Sequence, residues 1–229
     1  SASEKRIWAA TSQYMANYPG DRDVYLTDVI ENMPEEFTLM SWGNVAALGV
    51  FNWIEMEMHY REFGELFSDW SNPNEKQKKE IRKKCVNMLL EYCDKAIEAV
   101  EGSCYNCAYG NRPEDFHWGC CSSFCDQAIC FLYAYELTND KKYLDNAFRN
   151  VNYILGQNAT GYCYVTGFGS MSPMQPHSRL CASDGIEEPI PGLLVGGPNP
   201  GQQDIAEVKR YGSDFPDESY EDVEPSYAS

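Results

Sequence analysis

The sequence is short of positive charge. Eighteen Lys and Arg stand against 35 Asp and Glu, a formal net charge of −17 over 229 residues. Such a surface repels a phosphate backbone or an anionic membrane, so nucleic acid and lipid are excluded as partners, while a neutral ligand is not disfavoured. Also missing is any run of about 18 apolar residues, the length a helix needs to span a bilayer. Residues 1–20 lack the form of a secretory leader, and the expectation is a soluble, mature piece. No repeat with a period of about 20–50 residues is visible, so the pattern is not that of a simple solenoid. What is present is a globular composition, 43% hydrophobic and 14% aromatic, with 16 Tyr and 5 Trp. A sizeable core follows, and disorder does not.

Hydrophobic periodicity predicts helices over residues 2–18 and 22–33, broken by Pro19-Gly20 and ended by Pro34. Residues 43–60 are apolar nearly all round, as a helix buried on every side requires. Asn72-Pro73-Asn74-Glu75 supplies an N-cap, a proline at the first helical position and an acid in the first turn. The helix it opens, to about residue 100, carries Lys76, Lys78, Lys79, Arg82, Lys83 and Lys84 on what reads as a solvent face. Residues 120–137 are again broadly apolar. Residues 140–155 are amphipathic, with Tyr143, Leu144, Ala147, Phe148, Val151, Ile154 and Leu155 on one stripe before Gly156. Six helices that alternate between buried and surface character suit an inner and an outer helical ring.

The helical pattern stops at Gly156. Residues 157–229 hold 8 of the 12 prolines, 9 of the 17 glycines, and 11 acids against only Arg179, Lys209 and Arg210. Unstructured loops of this length are uncommon in compact domains and are usually functional. Tyr162, Tyr164, Phe168, Leu193, Leu194, Val195, Tyr220 and Tyr227 supply anchors, so the segment reads as a wall of ordered loops around the lone His177-Ser178-Arg179.

Ten cysteines, an even number, leave two readings open. An oxidising compartment would pair them as disulfides. Cys104-x-x-Cys107 with Cys120-Cys121 would instead offer zinc a set of thiolates, although the adjacent pair departs from the usual spacing. On the disulfide reading, Cys163 would pair with Cys181, and Cys104 or Cys107 with the 120–125 cluster. Some of the ten also suit small buried hydrophobes.

Residues 153–204, YILGQNATGYCYVTGFGSMSPMQPHSRLCASDGIEEPIPGLLVGGPNPGQQD, resemble the glycoside hydrolase family 9 cellulases. VTGFG, Pro-His-x-Arg at 176–179, DGIEEPIPG and GGPN stand in the family's order. Ser41-Trp42, Trp118-Gly119, and Tyr220-x-Asp222 followed after four residues by Tyr227 are similar to family sequence too. Where the family usually reads His-His-Arg, Ser178 takes the middle position. The resemblance implies an all-α fold, part of an (α/α)6 barrel, with residues 1–229 as the C-terminal half of one catalytic domain: helices to 156 and active-site loops over 157–229.

The function it implies is inverting hydrolysis of β-1,4-glucosidic bonds in cellulose or cellodextrins by a secreted, extracellular enzyme, with no cofactor required for the chemistry. The expected partners are the glucan and the remainder of the catalytic domain. In the family the acid is a Glu nine residues beyond the position of Asp222, and the base lies in an Asp-Ala-Gly-Asp-type segment. Neither is found in these 229 residues, so the piece alone is expected to be inactive. His177 and Asp222 are then the catalytic-site candidates, with Asp222 orienting its neighbours rather than protonating the glycosidic oxygen. Arg179, Trp118, Trp42 and Tyr227 are the substrate-binding candidates. Asp184, a short acid in a glycine turn, suits either structural calcium or an Asx-turn. A non-catalytic carbohydrate-binding barrel and an exo-acting cellodextrinase are the alternative functions.

Overall fold

The computed structural model describes residues 2–16, 22–41, 43–63 and 75–229. Among them six long helices run in chain order: α1 (Ala2–Met15), α2 (Arg22–Asn32), α3 (Ala46–Phe63), α4 (Glu75–Glu98), α5 (Cys120–Thr138) and α6 (Lys141–Ile154). A short α7 (Arg179–Ser183) interrupts the loop region. Pro19-Gly20 and the Asn72-Pro73 cap lie outside the described residues. The chain divides within α4 into two compact units, ending at Asp94 and beginning at Lys95.

In the N-terminal unit, α1 buries Ile7, Ala10, Thr11 and Tyr14, a spacing of three and four residues that puts them on one face. That face meets α3. Tyr14 stacks on Trp53 with ring centroids 5.4 Å apart, and the Trp53 indole donates to Thr11 Oγ1 at 3.2 Å. Ala46, Ala47, Val50, Phe51, Trp53 and Ile54 are all buried, as the apolar run over 43–60 predicts. The reading of α4 needs correction: Lys78 and Arg82 are buried rather than solvated. Arg82 Nε donates to Glu57 Oε2 of α3 at 2.9 Å, which offsets the cost of taking its charge out of water.

In the C-terminal unit α5 and α6 form a helical hairpin. Asn139 adopts the left-handed conformation (φ 57°), and Asp140 caps α6 by accepting from Lys142 N at 3.0 Å. Phe124 and Tyr153 stack across the pair, 4.0 Å between centroids and 8° between planes. The predicted stripe on α6 is only part of the buried face: Tyr143, Ala147 and Ile154 are buried. Phe148, Val151 and Leu155 are exposed, while Asn146 and Asn150 are buried. Asn150 makes the difference: its amide donates to Gln127 Oε1 (2.9 Å) and Phe124 O (3.3 Å) and accepts from Ala108 N (3.1 Å). A buried amide that satisfies three neighbours fixes the helix rotation more firmly than a few apolar contacts do.

Candidate functional site

The loop region is held to this hairpin by backbone pairing and a few polar hubs. Tyr164 N bonds Ile154 O, and Val195 N bonds Tyr164 O, so two loop segments run side by side over the end of α6. Asn158 gathers the first loop, donating to Tyr153 O and Tyr162 O while accepting from Thr160 N and Gly161 N. Tyr164, Val195, Tyr220 and Ala228 join Phe124 and Tyr153 in a single core cluster. Gly196 and Gly197 thread between α5 and the last residues. Cys121 N donates to Gly196 O, and Gly197 N to Ala228 O. A Cβ on Gly197 would lie 2.3 Å from Cys121 Sγ, and the residue sits at φ +88°, so only glycine passes here.

On this scaffold three sequence candidates come together. The His177 ring lies edge-on to Tyr227 at 5.7 Å, and Tyr227 lies edge-on to Trp118 at 5.6 Å. All three are exposed, Trp118 at 53% and Tyr227 at 42%. Trp118 is positioned by the turn before α5. Asp115 accepts from the backbone N–H groups of Asn111 and Arg112 and pairs with the Arg112 guanidinium at 2.8 Å. Gly119, at φ +79°, then turns the chain into the helix. His177 is fixed twice: its backbone N bonds Ser229 O at 3.0 Å, and Nδ1 lies 2.7 Å from Glu224 O. A carbonyl can only accept, so Nδ1 carries a proton, which in a neutral ring leaves the lone pair on Nε2.

Asp222 holds the loop that carries His177. Its Oδ2 accepts from Met174 N at 2.8 Å and its Oδ1 from Gln175 N at 2.9 Å, with the Ser229 hydroxyl 3.0 Å from Oδ1 and 2.7 Å from Gln175 O. This geometry makes it a brace between the last ten residues and the motif loop. Arg179 begins α7 with an exposed side chain. Ser178, in the place of the family's second histidine, is the N-cap of α7, its hydroxyl accepting from Cys181 N at 3.5 Å.

Other candidates fall elsewhere. Trp42 lies outside the described residues. Asp184 is exposed, and its Oδ1 accepts from Ile186 N at 2.9 Å, an Asx-turn. Among the described residues no three His, Cys, Asp or Glu side chains gather in a way that could hold a metal. Neither Asp184 nor Cys104 belongs to such a group.

The expected disulfides are not formed either, since no disulfide joins the ten cysteines. Cys163 turns its thiol toward Val165 O (3.7 Å), Cys107 toward Tyr109 O (3.0 Å) and Cys120 toward Pro198 O (3.2 Å). Pairing needs particular Cβ separations and directions, which spacing along the chain does not set. Burial pushes Cys85 up to about 12 and raises Cys107, Cys121 and Cys125, so these groups stay protonated and unreactive.

A polar cluster that the sequence reading missed lies beneath Tyr227. Asp204 accepts from Tyr211 Oη and Ser226 Oγ, both at 2.7 Å, and from Tyr227 N at 3.0 Å. Buried Glu221 accepts from Arg210 N and contacts Asp204. The one signal for it was position: Asp204 closes the GGPNPGQQD stretch of the family-like segment.

The sequence profile described as Glycosyl hydrolase family 9 matches residues 1–229. A xyloglucan-specific endo-β-1,4-glucanase of Bacteroides ovatus is 45% identical over all 229 residues, which cover 36% of its length. Endoglucanase D of Acetivibrio thermocellus is 29% identical over 91% of the chain and 31% of its own length. The chain thus spans about a third of these relatives. In structure it matches a Bacteroides ovatus family 9 protein with a TM-score of 0.81 at 39% identity, over the whole chain and 36% of that protein. The all-α expectation and the (α/α)6 barrel class hold, since the matched family 9 structures are such barrels. With the profile matched from end to end, the chain belongs to glycosyl hydrolase family 9.

Proposed function

We propose that this chain supplies part of the substrate-binding wall of an inverting β-1,4-glucan hydrolase. The observation that carries this reading is the exposed run Trp118–Tyr227–His177 beside Arg179 on a braced loop. Aromatic faces stack on the C–H faces of sugar rings, and a guanidinium and an imidazole hydrogen-bond to hydroxyls. The acidic surroundings suit a neutral ligand rather than an anionic one. Inversion needs an acid and a base about 6.5–9.5 Å apart, with a water between base and sugar. We assign both carboxylates to residues of the full-length protein outside this chain, and we place residues 1–229 within one catalytic domain. Because a relative is named for xyloglucan, a decorated β-1,4-glucan is the first substrate to test, before cellulose and cellodextrins. A polymer of this size is met outside the cell, so the reading includes secretion.

The test is steady-state kinetics of the full-length protein on xyloglucan, carboxymethylcellulose and cellotetraose. His177→Ala and Arg179→Ala should each lower kcat/KM about 10²-fold, about 2.7 kcal/mol, with melting temperatures close to wild type because neither side chain fills a core cavity. Lys209→Ala, an exposed cation of the same loop region, should be neutral. Near-normal kcat/KM in His177→Ala would show the loop to be structural and end this assignment.

A further inference from the structure

Asp204 and Glu221 are neighbouring carboxyl groups held by adjacent residues, Tyr211 Oη donating to Asp204 and Arg210 N to Glu221, a juxtaposition that repels if both are ionised. Their other partners are not equivalent. Asp204 receives three donors, from Tyr211, Ser226 and the backbone of Tyr227. Glu221 Oε2 receives Arg210 N, while Oε1 is buried and meets no donor among the described residues. A buried carboxyl oxygen without a donor, on a group that neighbours a carboxylate already satisfied by three donors, is the natural place for a proton that the two groups can share. Asp204 in turn grips the backbone of Tyr227, the ring that contacts both His177 and Trp118.

We propose that Asp204 and Glu221 share one proton and act together as positioning residues for Tyr227, so that affinity for a neutral glucan depends on that proton being in place. This rests on the reading of the wall as substrate-binding. The environment of each group supports it. Burial and the neighbouring Asp204 raise Glu221, while Asp204 is lowered because the hydrogen bonds from Ser226, Tyr211 and the Tyr227 backbone outweigh its desolvation. Tyr211 is the other titratable group against the pair, and burial raises it, so it remains a neutral donor. Arg210 contributes its backbone N–H.

The raised Glu221 favours its protonated form, whose contribution is present at low pH and is lost as pH rises through the elevated value. Asp204 is held ionised, so its contribution is lost as pH falls through its depressed value. The clamp is therefore intact between the two and opens first on the alkaline side.

The experiment uses the full-length protein and an uncharged ligand, cellotetraose, reading KM from kinetics and affinity by calorimetry across pH. Wild-type KM should rise about tenfold on the alkaline side, apart from any change in kcat. Glu221→Gln, whose amide permanently imitates the protonated acid, should hold KM within about twofold of the low-pH wild-type value throughout. Asp204→Ala should show the raised KM at every pH. A Glu221→Gln profile that follows wild type, or a wild-type KM that does not change, overturns the proposal. If Asp204→Ala does not fold, the Glu221→Gln profile decides alone. Tyr227→Ala separates the two levels: unchanged KM there overturns the substrate wall itself, whereas a raised KM beside an unaltered Glu221→Gln profile overturns only the proton-sharing pair.

Discussion

Asp222→Ala in the full-length protein should lower kcat/KM about 10³-fold, about 4 kcal/mol, with a melting temperature reduced by only a few degrees. The carboxylate is the shared acceptor for Met174 N, Gln175 N and the Ser229 hydroxyl. Removing it leaves two adjacent backbone N–H groups to find other partners, which they do by moving. His177 is two residues further on, and its backbone and ring are tied to Ser229 and Glu224 of the same terminal segment. Both ends of the brace therefore shift together, and a misplacement of about an ångström in such a group costs about 10²-fold by itself. Asp222→Asn should fall between, because its amide keeps one acceptor but turns a donor toward a donor. Retention of more than about a tenth of wild-type kcat/KM in Asp222→Ala would show that the loop holds its position without the brace.

The second large effect is on folding. Gly197→Ala should cost about 3–5 kcal/mol, a large part of the stability of an ordinary domain, and the yield of folded protein should drop. Two independent causes add. The added methyl would lie 2.3 Å from Cys121 Sγ and 3.1 Å from Cys120 Sγ, on side chains that are fully buried and cannot give way. The backbone is also at φ +88°, where a side chain is strained. Gly185→Ala separates them: it sits at φ +75° with nothing within 4 Å of the added methyl, and should cost only about 1 kcal/mol. Denaturant titration of both variants reads the difference, which is the crowding contribution. Equal, small losses would mean that α5 and the Gly196–Gly197 crossing can move apart to admit a methyl group.

What could be read from sequence was what depends on neighbours along the chain. The six long helices lie within a few residues of their periodic patterns, because buried apolar spacing and punctuation by Gly and Pro are local properties. The rotation of α6 was not legible, since it is set by Asn150 reaching Gln127, Phe124 and Ala108, partners from 23 to 42 residues away. Lys78 and Arg82 read as solvent residues for the same reason: Glu57, the partner of Arg82, belongs to another helix. The His177, Asp222, Trp118 and Tyr227 candidates come from an ordered set of motifs, with Asp222 as a residue that orients its neighbours; its partners Met174, Gln175 and Ser229 are visible only in the fold. Asp204 and Glu221 passed unnoticed among eleven acids, because only three-dimensional contact distinguishes them. The α7 cap at Ser178 was likewise visible only as a departure from the family's histidine.

The commitment of His177 Nδ1 to the Glu224 carbonyl sets a direction for the hydroxyl protons of whatever lies on this wall. A neutral imidazole so held can only take a proton at Nε2, and the guanidinium of Arg179 can only give one. A free sugar hydroxyl satisfies both, passing its own hydrogen to the ring and receiving one from the arginine. An O-methylated position has nothing to pass, and would leave Nε2 facing a methyl group. On the proposed reading of the wall, an unblocked sugar would be told from an etherified one of nearly the same shape by the polarity of the hydrogen-bond chain.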